Sequence, residues 1–132
     1  MANYWPTKQG VEDDPIVAAK MNSLPKYVIS KTLDKVEWNN SKLIKENIEI
    51  EIQKLKNRSD KDLNIFGSGK LISSLIETEL IDEFRIMINP VIIGKGTPLF
   101  TNINKKLKLE LVNTRLFKNG NILLTYKPAV GK

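Results

Sequence analysis

The stretch Asp62-Leu63-Asn64-Ile65-Phe66-Gly67-Ser68-Gly69-Lys70-Leu71 sets the fold of this 132-residue chain. Leu63 to Phe66 reads as a short buried strand, Gly67-Ser68-Gly69 as a turn, and Leu71, Ile72, Leu75 and Ile76 recur at helical spacing behind it. A strand–glycine–helix junction suits an anion for a plain reason. The first N–H groups of a helix lack internal partners, and the helix dipole adds partial positive charge. Glycine lets a ligand approach the backbone, and Lys70 adds a formal charge. The same junction also serves as an ordinary tight turn, and the rest of the chain has to decide between these readings.

Upstream, Glu12-Asp13-Asp14-Pro15 reads as a helix start, with acids in the first turn and proline at the first helical position, and the helix runs to Asn22. Lys26 to Ser30 has strand composition, and Lys31 to Asp34 a loop composition. Val36-Glu37-Trp38 reads as a second short strand. Asn39-Asn40-Ser41 then caps a helix whose apolar face is Ile44, Ile48, Ile52 and Leu55. Downstream of the glycine turn, Glu83 to Ile93 reads as a long strand that Pro90 must interrupt or place at an edge. Leu107, Leu109 and Leu111 alternate with polar residues, Asn119-Gly120 signals a two-residue turn, and Ile122, Leu124 and Tyr126 alternate on the return.

Strands separated by helices and closed by a hairpin predict a single α/β domain over 1–132, with a mixed, mostly parallel sheet, helices on both faces and a C-terminal β-hairpin. In such sheets ligands settle at the carboxyl ends of parallel strands. Two loops fit that place: Ser30-Lys31-Thr32 and Gly67-Ser68-Gly69. If their strands are parallel neighbours, both loops lie on one rim and suit a phosphorylated nucleotide.

Composition narrows the chemistry. The chain has neither histidine nor cysteine. Ser-His-Asp and Cys-His catalysis, His- or Cys-ligated zinc and disulfides are therefore excluded. Acid–base work falls to carboxylates, lysine, tyrosine, a cofactor or water. No apolar run reaches membrane-spanning length, Met1-Ala2-Asn3-Tyr4-Trp5-Pro6 is not a signal peptide, and a cytoplasmic location is expected. The net charge of +6 comes from the C-terminal segment, where Lys105, Lys106, Lys108, Arg115, Lys118, Lys127 and Lys132 face one acid, Glu110. That surplus reads as a solvated hairpin face, and no nucleic-acid partner is expected. Asp82-Glu83 reads as a structural cap rather than a paired carboxylate site, because adjacent strand residues face opposite ways. Gly94-Lys95-Gly96 reads as a turn, and Trp5 and Trp38 as packing residues.

Four stretches carry a resemblance: Tyr4-Trp5-Pro6; Met21-Asn22 through Pro25-Lys26 to Val28-Ile29-Ser30-Lys31-Thr32-Leu33; Asn64-Ile65-Phe66-Gly67-Ser68-Gly69; and Leu80-Ile81-Asp82-Glu83 through Pro90-Val91-Ile92-Ile93-Gly94-Lys95-Gly96 to Pro98-Leu99-Phe100. In these the chain resembles the dihydrofolate reductase-like family that includes the C-terminal reductase domain of bacterial riboflavin-biosynthesis proteins. The resemblance implies an NADPH-dependent reductase acting on a pterin- or pyrimidine-like small molecule, and a homodimer. Carried over by position, Phe66, Gly67, Ser68, Gly69, Lys70 and Leu71 hold the cofactor pyrophosphate, and Ser30, Lys31 and Thr32 face its adenosine phosphate. Family members begin with a strand and a Gly-Arg-x-Thr turn for which this sequence has no counterpart before Met1. The expectation is an N-terminally truncated member with no assignable catalytic residue. The alternative is an inactive nucleotide-binding or self-associating module.

Overall fold

The computed structural model describes residues 1–66 and 68–129. The chain divides into two compact units, Met1–Glu51 and the remainder from Ile52 on, with the division falling inside one helix.

In the first unit, helix α1 (Lys8–Asp13) is capped by Thr7, whose hydroxyl accepts from the Gly10 N–H. Gly10 is buried against the Tyr4 carbonyl, and a side chain there would strike backbone. Helix α2 (Pro15–Ser23) starts where Asp14 Oδ1 accepts from the Val17 N–H at 2.9 Å, with Pro15 at the first helical position. The expected helix start is thus correct at Asp14-Pro15. Glu12 and Asp13 instead close α1, a helix too short for its apolar period to be read. Strands β1 (Lys26–Ile29) and β2 (Ser41–Ile44) pair in parallel, Lys26 opposite Ser41 and Ile29 opposite Ile44. The second strand is therefore Ser41–Ile44, not Val36–Trp38, and the expected cap at Ser41 is not a helix start. Trp38 is drawn into the connection by a side-chain bond described below, and Asn40, at φ 57°, turns the chain into β2. Ala18 and Ile44 are the buried apolar residues of this unit.

Helix α3 (Ile48–Arg58) follows, with Ile48, Ile52 and Leu55 half-buried on one stripe, as their spacing requires. The second unit contains helix α4 (Gly69–Ile76) and strands β3 (Phe84–Ile88), β4 (Leu109–Leu116) and β5 (Ile122–Pro128). The strands form an antiparallel sheet in the order β3-β5-β4. Leu75, Ile76 and Phe84 are its buried core, and Phe100 meets Phe84 edge to face at 6.3 Å.

Two expectations fail in this unit. Leu63–Phe66 forms no strand among the described residues, and Leu63, Ile65 and Phe66 are exposed. A strand exists only with a ladder partner, and none of the five strands pairs with this segment. The rim that depended on its pairing with β1 is therefore not built that way; β1 pairs with β2. Second, Asn119-Gly120 is not a two-residue turn. Phe117 N–H donates to the Asn121 carbonyl, Gly120 N–H donates to the Phe117 carbonyl, and Gly120 has φ 85°. That is a three-residue loop with a left-handed glycine. The long strand expected to reach Ile93 ends at Ile88, ahead of Pro90.

Candidate functional site

The first candidate lies in the first unit, at the carboxyl ends of β1 and β2. Ser30 N–H donates to the Ile44 carbonyl at 3.2 Å, which places the Ser30 turn at the end of the ladder. Ser30 Oγ accepts from the N–H groups of Thr32 (3.3 Å) and Leu33 (3.2 Å) and lies 3.4 Å from Thr32 Oγ1. Serine and threonine hydroxyls fold such turns back on their own backbone. The two hydroxyls thus shape the turn and leave Lys31 to project. Lys31 lines a cleft of about 470 Å³ with Lys45, Glu46, Asn47, Ile48, Glu49 and Ile50. Lys45 follows β2 directly, and its ammonium lies 3.1 Å from Asp34 Oδ1. Asn47, at φ 50°, turns the chain into α3, and its carbonyl accepts from the Glu51 N–H.

The cleft therefore joins two lysines, the start of an eleven-residue helix and two carboxylates, Glu46 and Glu49. The lysines and the helix start attract an anion, and the carboxylates limit how much negative charge it can carry. Lys45, Glu46 and Asn47 were not singled out from the sequence. The signal was present, a lysine directly after a β-rich tetrapeptide, but reading Ser41 as a helix cap hid it.

The second candidate lies in the second unit, at the start of α4. Gly67 lies outside the described residues. Ser68 is the N-cap, with its Oγ accepting from the Leu71 N–H at 3.3 Å and its carbonyl from the Ile72 N–H at 3.0 Å. It does so from a left-handed conformation, φ 61° and ψ 70°, that costs a non-glycine residue about 1–2 kcal/mol. Because Ser68 engages Leu71, an anion seated here meets the N–H groups of Gly69 and Lys70 and the exposed Lys70 ammonium. Phe66 stands open beside the turn, 65% exposed.

Gly69 has a second reason to be glycine. A Cβ there would come within 2.8 Å of the Leu99 carbonyl oxygen. Further along the same helix face, Ser73 Oγ accepts from the Thr101 N–H at 3.1 Å, and Glu77 Oε1 from the Asn104 N–H at 3.0 Å. Positions 69, 73 and 77 share one face of a helix, so α4 holds the segment 99–104 along its length.

The other singled-out residues are structural. Asp82 binds Lys56 Nζ at 2.6 Å, and Glu83 binds Arg85 Nε at 2.6 Å, so the adjacent acids serve different cations. Trp5 and Trp38 belong to a cluster around Asn22 and Lys26. The Lys26 ammonium donates to the carbonyls of Met21 (2.9 Å) and Leu24 (2.8 Å), closing the C-terminus of α2, and lies 4.6 Å from the centre of the Trp38 ring. Burial pushes its pKa down. Among the described residues no group of acids clusters as a metal site, and no helix is long and apolar enough to cross a membrane.

The chain belongs to the RibD C-terminal domain family, whose model matches residues 1–123. It is 35% identical over 123 residues to the uncharacterized protein YyaP of Bacillus subtilis (strain 168), covering 93% of this chain and 65% of that one. To YwjB of the same organism it is 30% identical over 91 residues, covering 69% and 52%. The chain thus spans about two-thirds and about half of these relatives. Among solved structures, a putative riboflavin biosynthesis protein from Shewanella sp. PV-4 matches with a TM-score of 0.71 at 24% identity, covering 89% of this chain and 70% of that one. A pyrimidine reductase-like protein (DIP1392) from Corynebacterium diphtheriae matches with a TM-score of 0.59 at 19% identity, covering 80% and 50%. The fold is that of these proteins.

Proposed function

We propose that the chain is an NADPH-binding reductase domain that acts on a pterin- or pyrimidine-like small molecule. The observation that carries this reading is the two-lysine cleft at the carboxyl ends of the parallel pair β1 and β2, within a chain of the RibD C-terminal domain family. The residues fit the phosphates of such a cofactor. Lys31 and Lys45 hold the adenosine 2′-phosphate, with Ser30 and Thr32 shaping the turn that presents Lys31. In the second unit, taken by itself, the N–H groups of Gly69 and Lys70, together with the Lys70 ammonium, suit an anionic group. Ser68 caps the helix by accepting from the Leu71 N–H and so keeps those donors aligned. When bound, the nicotinamide supplies the hydride; the chain binds, orients and excludes water.

Calorimetric titration tests the reading. NADPH should bind more tightly than NADH, and Lys31→Ala and Lys45→Ala should each narrow that ratio, because only the former cofactor carries the 2′-phosphate. No binding at millimolar NADPH, or an equal loss for both cofactors, overturns it.

A further inference from the structure

The two lysines of the first unit's cleft are not equivalent. Lys45 already has an anion beside it: its ammonium lies 3.1 Å from Asp34 Oδ1. Among the described residues Lys31 forms no ion pair, and Asp34 and Lys45 form none but this one. Lys35, the cation next to Asp34 in the chain, is bound to Glu37 instead.

The path of the backbone explains why Asp34 meets Lys45. Ser30 N–H donates to the Ile44 carbonyl, so the segments that follow β1 and β2 leave from one end of the ladder. Lys45 is the first residue after β2. On the other side, Ser30 Oγ accepts from the N–H groups of Thr32 and Leu33 and curls the turn back on itself. The turn therefore presents Lys31 on its way out and Asp34 at its exit, and the exit carboxylate comes back to the lysine that ends β2. All of these residues belong to Met1–Glu51, a single compact unit.

Exposure decides what this ion pair can do. The Asp34 side chain is 95% exposed and that of Lys45 42%. A pair so open to water is held by no more than about a two- to fivefold preference over its separated partners. A carboxylate brings one negative charge to Lys45, whereas a phosphate monoester brings about 1.5 to 2 at neutral pH. At equal distance the phosphate is attracted more strongly. It displaces the carboxylate, which turns into the water it already faces. A ribose hydroxyl carries no charge and leaves the pair in place.

We propose that Asp34 is a specificity-setting residue of this cleft. Its carboxylate occupies Lys45 in the empty site, and a 2′-phosphate has to displace it, so Asp34 limits how strongly NADPH is preferred over NADH. The inference rests on the NADPH reading above. Asp34 acts through Lys45 and is a positioning residue. It lowers the affinity for the phosphorylated cofactor alone, because only that cofactor competes for the lysine.

Calorimetric titration of the whole chain at fixed low salt tests this. Asp34→Asn should tighten NADPH about two- to fivefold and leave NADH unchanged, which widens the ratio of the two affinities by the same factor. A residue that only supported the fold would move both cofactors together. The same substitution in a Lys45→Ala background should lose its effect, since the competitor no longer has a lysine to occupy; such a cycle isolates the coupling of the two side chains. Tightening of equal size in both backgrounds would mean that Asp34 acts through the general field of the cleft, and overturns the proposal. NADPH that binds the wild type and Asp34→Asn equally overturns the proposal alone. A wild type that binds no NADPH overturns the cofactor reading and the proposal with it.

Discussion

Trp38 donates its indole N–H to Asn22 Oδ1 at 2.8 Å, and Asn22 Nδ2 donates onward to the Trp5 carbonyl at 2.9 Å. One amide thus joins the N-terminal turn, the end of α2 and the connection between β1 and β2. Asn40 Nδ2 reinforces the same point by donating to the carbonyls of Asn22 (3.2 Å) and Ser23 (3.0 Å).

Asn22→Ala strands a half-buried indole donor and a backbone acceptor at once. The expected cost is about 1–3 kcal/mol. Both tryptophans of the chain are Trp5 and Trp38, so their fluorescence reads the loss directly. The midpoint of urea unfolding followed by tryptophan emission should fall in this variant, and an unchanged midpoint would mean that the amide bridge contributes nothing.

Gly69→Ala places a methyl group 2.8 Å from a backbone oxygen, which cannot rotate away as a side-chain tip would. The segment 99–104 must shift along α4, at about 1–3 kcal/mol for such overpacking. Thermal unfolding should show the loss. If Gly69 served only a ligand, stability would be unchanged and cofactor affinity alone would fall.

Ser68 separates capping from backbone strain. Ser68→Ala keeps the left-handed backbone and loses the hydroxyl acceptor, for about 1 kcal/mol of destabilisation. Ser68→Gly loses the hydroxyl but relieves about 1–2 kcal/mol of left-handed strain, and should be neutral or stabilising. Denaturant melts of the pair rank them; an alanine variant as stable as the glycine variant would contradict the geometry at α4.

Tyr4 donates its phenol proton to Asp13 Oδ2, and that hydrogen bond, with smaller help from burial and the carboxylate charge, pushes its pKa up. A raised folded-state pKa means that the bond stabilises below the ordinary phenol pKa of about 10 and is lost as pH rises through the folded value. Ultraviolet titration of the phenols should show one transition above the ordinary range that Tyr4→Phe abolishes. Loss of a transition at or below that range would exclude the bond.

The parts of the fold that were legible share a local cause. Asp14 and Pro15 start α2 through a cap bond three residues away, Ser68 starts α4 likewise, and the Ile48, Ile52, Leu55 stripe needs only a helical period. What was not legible depends on distant partners. Leu63–Phe66 has strand composition but no strand pairs with it among the described residues, and Ser41–Ile44 is a strand because Lys26–Ile29 lies alongside it. Four residues are too few for a period to distinguish strand from helix. The candidate site inherits this division. Lys31 followed from the strand before it, whereas Lys45 was lost with β2.

The face of α4 that holds the segment 99–104 has a dynamic consequence. That segment is gripped by a carbonyl seated over Gly69 and by two side-chain acceptors, Ser73 and Glu77, rather than by a ladder. Segments held this way open at lower free energy than core strands. The amides of Thr101 and Asn104 should therefore exchange hydrogen well before those of β5. Each opening lifts the Leu99 carbonyl off Gly69, the position where it leaves no room for a side chain.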